Sequence, residues 1–193
     1  MPTSAERTDW VNRLNAKTAN RSSLVQALRT SSENVANVDP VTRLYSAYFL
    51  RIPDAGGLVY WIGKRRRGAK LDTISQSFAS SSEFKTRYGS LSNAAFVDLI
   101  YHNLFDRDPD PSGKAYWTGK LNNGSKNRGQ VMAGFSESNE YKNDQVKPVN
   151  AAVGVIFMLK RKPTTTEFNN LVAGVGTGAS VAEFAFTSGS YAP

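Results

Sequence analysis

The chain has 193 residues, 40% apolar and 11% aromatic, which is enough to pack one ordinary domain or two small ones. It has no cysteine, which excludes a disulfide framework, a thiolate zinc site and a cysteine nucleophile, and its single histidine, His102, excludes a site needing two imidazoles. A net charge of +8, with clusters at Lys64-Arg65-Arg66-Arg67, Lys70 and Lys160-Arg161-Lys162, either attracts acidic polymers or simply complements helix C-termini.

Met1-Pro2-Thr3-Ser4 leads into a polar segment without the apolar core of a signal peptide, so a secretion signal would have to precede it. The longest apolar run, Ala151 to Leu159, falls short of the roughly 20 residues of a bilayer crossing, so a soluble chain without membrane insertion is expected. Ser4 is expected to cap a helix bearing Trp10, Val11 and Leu14, and Asn20-Arg21-Ser22-Ser23 opens a second with Leu24, Val25 and Leu28. Asp39-Pro40 reads as an N-cap followed by a first helical position, with Val41, Leu44, Tyr45, Tyr48 and Phe49 at helical spacing. Pro53 closes that helix, and Asp54 opens another whose buried face should hold Leu58, Trp61 and Ile62. Leu71, Ile74 and Phe78 mark a third, and Ser80-Ser81-Ser82-Glu83-Phe84 begins a short fourth that Gly89 stops.

The stretch Arg51-Ile52-Pro53-Asp54-Ala55-Gly56-Gly57-Leu58-Val59-Tyr60-Trp61 recurs as Arg107-Asp108-Pro109-Asp110-Pro111-Ser112-Gly113-Lys114-Ala115-Tyr116-Trp117, its Arg, Pro, Asp, Gly, Tyr and Trp each 56 positions on. Around this second copy, Ser92 opens a helix with Phe96, Val97, Leu99, Ile100 and Leu104, Asn122-Asn123-Gly124 ends the Trp117 helix, and Asn127 with Gln130 has capping-box spacing. Beyond Lys147-Pro148 come an apolar helix, then two helices opened by Thr164 with Glu167 and by Ser180 with Glu183. The expected fold is all-α: tandem helical repeats of about 55 residues packed into one continuous array. Residues 1–38 form a partial repeat, 39–91 and 92–146 carry intact motifs, and 147–193 is a degenerate capping repeat.

An aromatic-rich helix, Arg-x-Pro-Asp-x-x-Gly, Tyr-Trp and a closing Phe-x-x-Ser-x-Glu-Phe/Tyr together resemble a bacterial family known as domain of unknown function 4214. The resemblance covers roughly positions 41–145, and the same plan is more distantly similar to the linker domains of phycobilisomes. It implies a module of a secreted or surface-attached bacterial protein, extracellular in location. The family's usual Leu-Gly-Arg before the proline is replaced here by Phe49-Leu50-Arg51 and Phe105-Asp106-Arg107.

Asp54 and Asp110 are placed to accept helix N–H groups, with Arg51 and Arg107 pairing to them or to a helix end; the alternative makes these four a polar clamp for a sugar. Trp61 and Trp117 fall on the inner face by periodicity, whereas Tyr60 and Tyr116 lie one residue off it and are candidate stacking platforms. Arg65, Lys70, Asn123 and Lys126, in the loops that end the Trp helices, are further candidate contacts. Asp106, Asp108 and Asp110 alternate like the start of a calcium loop, but Pro111 and Trp117 stand where that loop needs Gly and Glu, so no metal and no cofactor is expected. No nucleophile elbow occurs, Gly174-Val175-Gly176-Thr177-Gly178 lacks the spacing and lysine of a phosphate loop, and a carboxylate pair such as Asp98 and Asp106 is the open catalytic alternative. The expected protein is non-enzymatic, a binding or spacer module for glycans or cell-wall polymers. A protein-assembly module is the alternative, and nucleic-acid binding is a third reading that rests on charge alone.

Overall fold

The computed structural model describes residues 3–174 and 177–187. Met1-Pro2, where the polar N-terminal segment begins, and Val175-Gly176 of the glycine-rich run lie outside the described residues. Regular structure among the described residues is helical throughout. The first seven helices are α1 (Ser4–Asn15), α2 (Arg21–Arg29), α3 (Ser32–Asn37), α4 (Asp39–Phe49), α5 (Ala55–Arg66), α6 (Leu71–Ala79) and α7 (Ser82–Tyr88). They are followed by α8 (Asn93–Phe105), α9 (Pro111–Asn122), α10 (Arg128–Ser136), α11 (Asn139–Asp144), α12 (Val146–Leu159), α13 (Thr165–Ala173) and α14 (Gly178–Thr187).

Most helices begin where a short polar side chain can accept an orphan N–H. Asn20, Asp54, Ser81, Ser92, Asp110, Asn127, Ser138 and Thr164 all do so. Three starts differ from expectation. Thr3, not Ser4, caps α1, because its hydroxyl and Glu6 bond each other's backbone N–H in a reciprocal box. Val38, which makes no side-chain cap bond, precedes α4, so Asp39 is already inside the helix with Pro40 behind it; α3 runs to Asn37 and leaves no extended residue for a cap. Thr177 and Ser180 exchange bonds at 3.2 and 3.0 Å, so α14 starts three residues before the place implied by Ser180 with Glu183.

The helices divide into two compact units, and the division does not follow chain order. A central unit spans 37–145, and a terminal unit joins 1–36 to 146–193. The core of the central unit holds Val41, Leu44 and Tyr48 of α4, Ile74 and Phe78 of α6, Phe84 of α7, Phe96 and Ile100 of α8, Met132 of α10 and Tyr141 of α11, all buried. The Tyr48 ring meets Phe78 and Phe84 edge-on at 5.7 Å, and its hydroxyl is satisfied by Ser75 at 2.8 Å. Where α6 and α10 cross, Gly129 lies so close to the α6 backbone that a Cβ would strike Gln76 N and Asp72 O, and the Gln76 side chain accepts the Gly129 N–H at 2.8 Å. Arg43 on α4, 7% exposed, forks onto both oxygens of Glu137 at the end of α10, at 2.8 and 2.7 Å, which keeps a buried cation paired.

In the terminal unit, α12 is the most apolar helix, and Ala151 and Val155 pack with Leu171 of α13 and Val181 of α14. Gly154 receives Val181 against its bare backbone, and Gly178 lies against Gln26 and Arg29 of α2. The N-terminal and C-terminal segments therefore share a core.

Candidate functional site

The Arg-x-Pro-Asp-x-x-Gly motif is consumed by the fold in both copies. Asp54 Oδ1 accepts the Gly57 N–H at 2.6 Å and Asp110 Oδ1 the Gly113 N–H at 2.8 Å, which starts α5 and α9. With the Ser112 hydroxyl adding a second donor, the Asp110 carboxyl is held below the usual carboxylate range. Arg51 donates to both oxygens of Glu83 at 2.6 and 2.9 Å, and Arg107 to those of Glu140 at 3.1 and 3.2 Å. Those glutamates sit in the first turns of α7 and α11, so each arginine ties a loop to a helix N-terminus that already favours negative charge. The guanidinium groups lie 5.0 Å from the Tyr45 ring centre and 5.8 Å from that of Tyr101. The glycine keeps clear of these tyrosines and of the capping carboxylates: a Cβ at Gly57 would lie 2.5 Å from the Tyr45 hydroxyl, and one at Gly113 2.7 Å from Asp110 Oδ2 and 2.9 Å from the Tyr101 hydroxyl. Burial, with the nearby Asp54 charge, pushes the Tyr45 phenol up to about 12.

The outer face of the same helices is different. Tyr60 and Tyr116 are 53% and 55% exposed. Each stands edge-on to its neighbouring tryptophan, at 4.9 Å and 79° for Tyr60 and 5.0 Å and 82° for Tyr116. One turn on, Lys64 and Lys120 hold their ammonium groups 5.4 and 5.3 Å from the tyrosine ring centres. Trp61 and Trp117 are half-buried, not core: they touch Phe78 at 5.3 Å and Phe135 at 5.2 Å on one side and the exposed tyrosines on the other. On α5 the fully buried line is taken by Leu58 and Ile62, and Trp61 sits at its edge.

The remaining candidates are dispersed. Arg65 Nη1 donates to the Ala69 carbonyl at 2.8 Å beyond the end of α5, and Asn123 ends α9 and accepts from the Ser125 N–H at 3.0 Å. Lys126 ties its backbone to the Lys120 carbonyl, and Lys70, at the start of α6, lines a groove of about 510 Å³ with Thr73, Gln76, Ser77, Asn127 and Gln130. The alternating aspartates have separate roles: Asp106 ends α8, Asp108 meets His102 at 3.2 Å, and Asp110 caps α9. Asp98 is paired with Lys114 at 2.7 Å. The Arg43–Glu137 fork and the Gly129–Gln76 crossing are among the contacts that the sequence does not announce; both join residues more than 50 positions apart, and no local spacing marks them.

The protein is thus an all-α module with one arginine-braced turn used twice in its central unit. Residues 75–145 match the family described as Domain of unknown function (DUF4214), the family that the motifs resemble. No curated protein and no solved structure matches the chain. No helix among the described residues is long and apolar enough to cross a membrane.

Proposed function

We propose that this chain is a non-catalytic binding module of a secreted or surface protein, and that it engages a glycan or cell-wall polymer through the outer faces of α5 and α9. The observation that supports this is the pair of exposed tyrosines, each braced edge-on by a tryptophan and presented alike in both copies. Such a ring offers a flat apolar face and a polar tip at little entropic cost, which suits stacking against a sugar ring. The motif arginines and aspartates are engaged within the fold, so the tyrosine faces are the better-placed contacts. Extracellular placement comes with the family resemblance.

Screening the purified chain on an array of glycans and cell-wall polymers, beside Tyr60→Ala and Tyr116→Ala, tests the proposal. Each substitution should weaken retention of the same ligands by about tenfold, the loss expected for one stacking contact of ~1.4 kcal/mol. If nothing is retained, or both variants bind like the parent, the face is not a glycan platform and the protein-assembly reading replaces it.

A further inference from the structure

The two Tyr-Trp helices share three letters around the exposed tyrosine, although their buried lines differ. Leu58 and Ile62, buried in α5, are replaced by the half-buried Lys114 and Thr118 at the equivalent places of α9, and Arg65 by the buried Leu121. On the outer face, Tyr60, Gly63 and Lys64 are matched letter for letter by Tyr116, Gly119 and Lys120. By helical period the glycine and the lysine flank the tyrosine on its C-terminal side, so the three make one patch. A glycine inside a helix weakens it relative to alanine. Nothing nearby demands it here: a Cβ at Gly119 would meet no atom within 4 Å, and one at Gly63 would meet only the flexible Arg67 side chain. At Gly119 the glycine leaves a bare strip of backbone beside an exposed ring, whereas at Gly63 the flexible Arg67 guanidinium lies over the strip; in both copies the lysine, one residue on, brings its ammonium to the same ring.

We infer that Tyr60-Gly63-Lys64 and Tyr116-Gly119-Lys120 are two subsites for an acidic polysaccharide, each taking one uronic-acid ring. This rests on the binding reading above and names its ligand class. The sugar ring lies on the tyrosine and over the glycine, and its carboxylate meets the lysine, whose Nζ stands 5.4 or 5.3 Å from the tyrosine ring centre. A uronic acid carries its charge directly on the ring that stacks, so one residue satisfies both contacts. A phosphate polymer carries its charge on a flexible linkage away from any ring. The chain's net charge of +8 works in the same direction, raising the local concentration of a polyanion.

The test titrates polygalacturonate, a neutral xylan and duplex DNA at low and high salt against the parent and three paired variants. Lys64→Gln with Lys120→Gln should weaken polygalacturonate binding at least tenfold at low salt and flatten its salt dependence. Gly63→Gln with Gly119→Gln should melt no lower than the parent, glutamine being the better helix former, yet lose at least tenfold in binding because the strip is covered. Tyr60→Ala with Tyr116→Ala should abolish binding. Xylan bound as tightly as polygalacturonate, lost with the tyrosines but indifferent to salt, overturns the acidic-ring inference and leaves the glycan reading standing. DNA preferred over polygalacturonate also overturns the inference. No binding to any polymer, or binding that none of the three pairs alters, overturns both.

Discussion

Before α5 and α9 of the central unit and α13 of the terminal unit, the chain makes the same turn. A left-handed residue comes first, Leu50, Asp106 or Lys160 at φ 48°, 50° and 56°. An arginine and a proline follow, then a capping side chain, Asp54, Asp110 or Thr164. What is built on the turn differs. In the central unit the arginine reaches a glutamate on another helix, Glu83 or Glu140, whereas Arg161 closes on Glu167 in the first turn of its own helix at 2.7 Å. Asn170 and Leu171 of α13 take the places of the Tyr-Trp pairs, and Ala173 and Gly174 those of the following glycine and lysine. The turn is therefore a device of the scaffold that works without an aromatic surface, and the Tyr-Gly-Lys face is an addition carried by α5 and α9.

That separation can be broken or sharpened at several points. The largest effect is expected at Glu137, which ties α10 to α4 inside the central unit: Glu137→Ala strands the buried Arg43 and should cost about 3–5 kcal/mol in denaturant unfolding, without touching either tyrosine face. Next comes the glycine that follows the cap. Gly57→Ala forces a Cβ against the Tyr45 hydroxyl and should cost about 1–3 kcal/mol, whereas the same place in α13 is Glu167, whose side chain completes the cap.

Acid probes the terminal unit's version of the turn. Arg161 and the Thr164 N–H hold the Glu167 carboxyl down from 4.5 to about 2, so its stabilisation is fully present above about pH 4.5 and is lost as pH falls toward 2. Solvent screening limits the effect to about 1 kcal/mol, and Glu167→Gln should flatten that part of the stability profile. The smallest effect concerns the shared left-handed residue. Leu50→Gly, at an exposed position, should stabilise by about 0.5–1 kcal/mol, and Lys160→Gly should do the same if the turn is indeed one device in both units.

Helix starts were legible in the sequence because a cap is a local event: Asp54, Ser92, Asp110, Asn127 and Thr164 each need only the next three residues. The same locality misled at Ser180, where Thr177 stood three residues upstream with equal capping ability. Pairing between distant segments was not legible. That α14 packs on α2, or that Gly129 lies on α6, depends on a close backbone approach whose only trace is a glycine, a letter with many other uses. Periodicity placed Tyr60 and Tyr116 off the buried line, but it put Trp61 and Trp117 inside, since it marks a face and not the depth to which that face is covered. The agreement of Gly63 and Lys64 with Gly119 and Lys120 was present in the letters. It acquires meaning only once the tyrosine beside them is known to be exposed in both copies.

The claim that the aromatic face is separable from the scaffold is tested most directly by melting Tyr60→Ala/Tyr116→Ala and measuring its polygalacturonate binding on the same preparation. The expected result is a melting temperature within about 2 °C of the parent, as for exposed substitutions, together with loss of binding. A melting temperature more than about 5 °C lower, or binding equal to that of the parent, would contradict it.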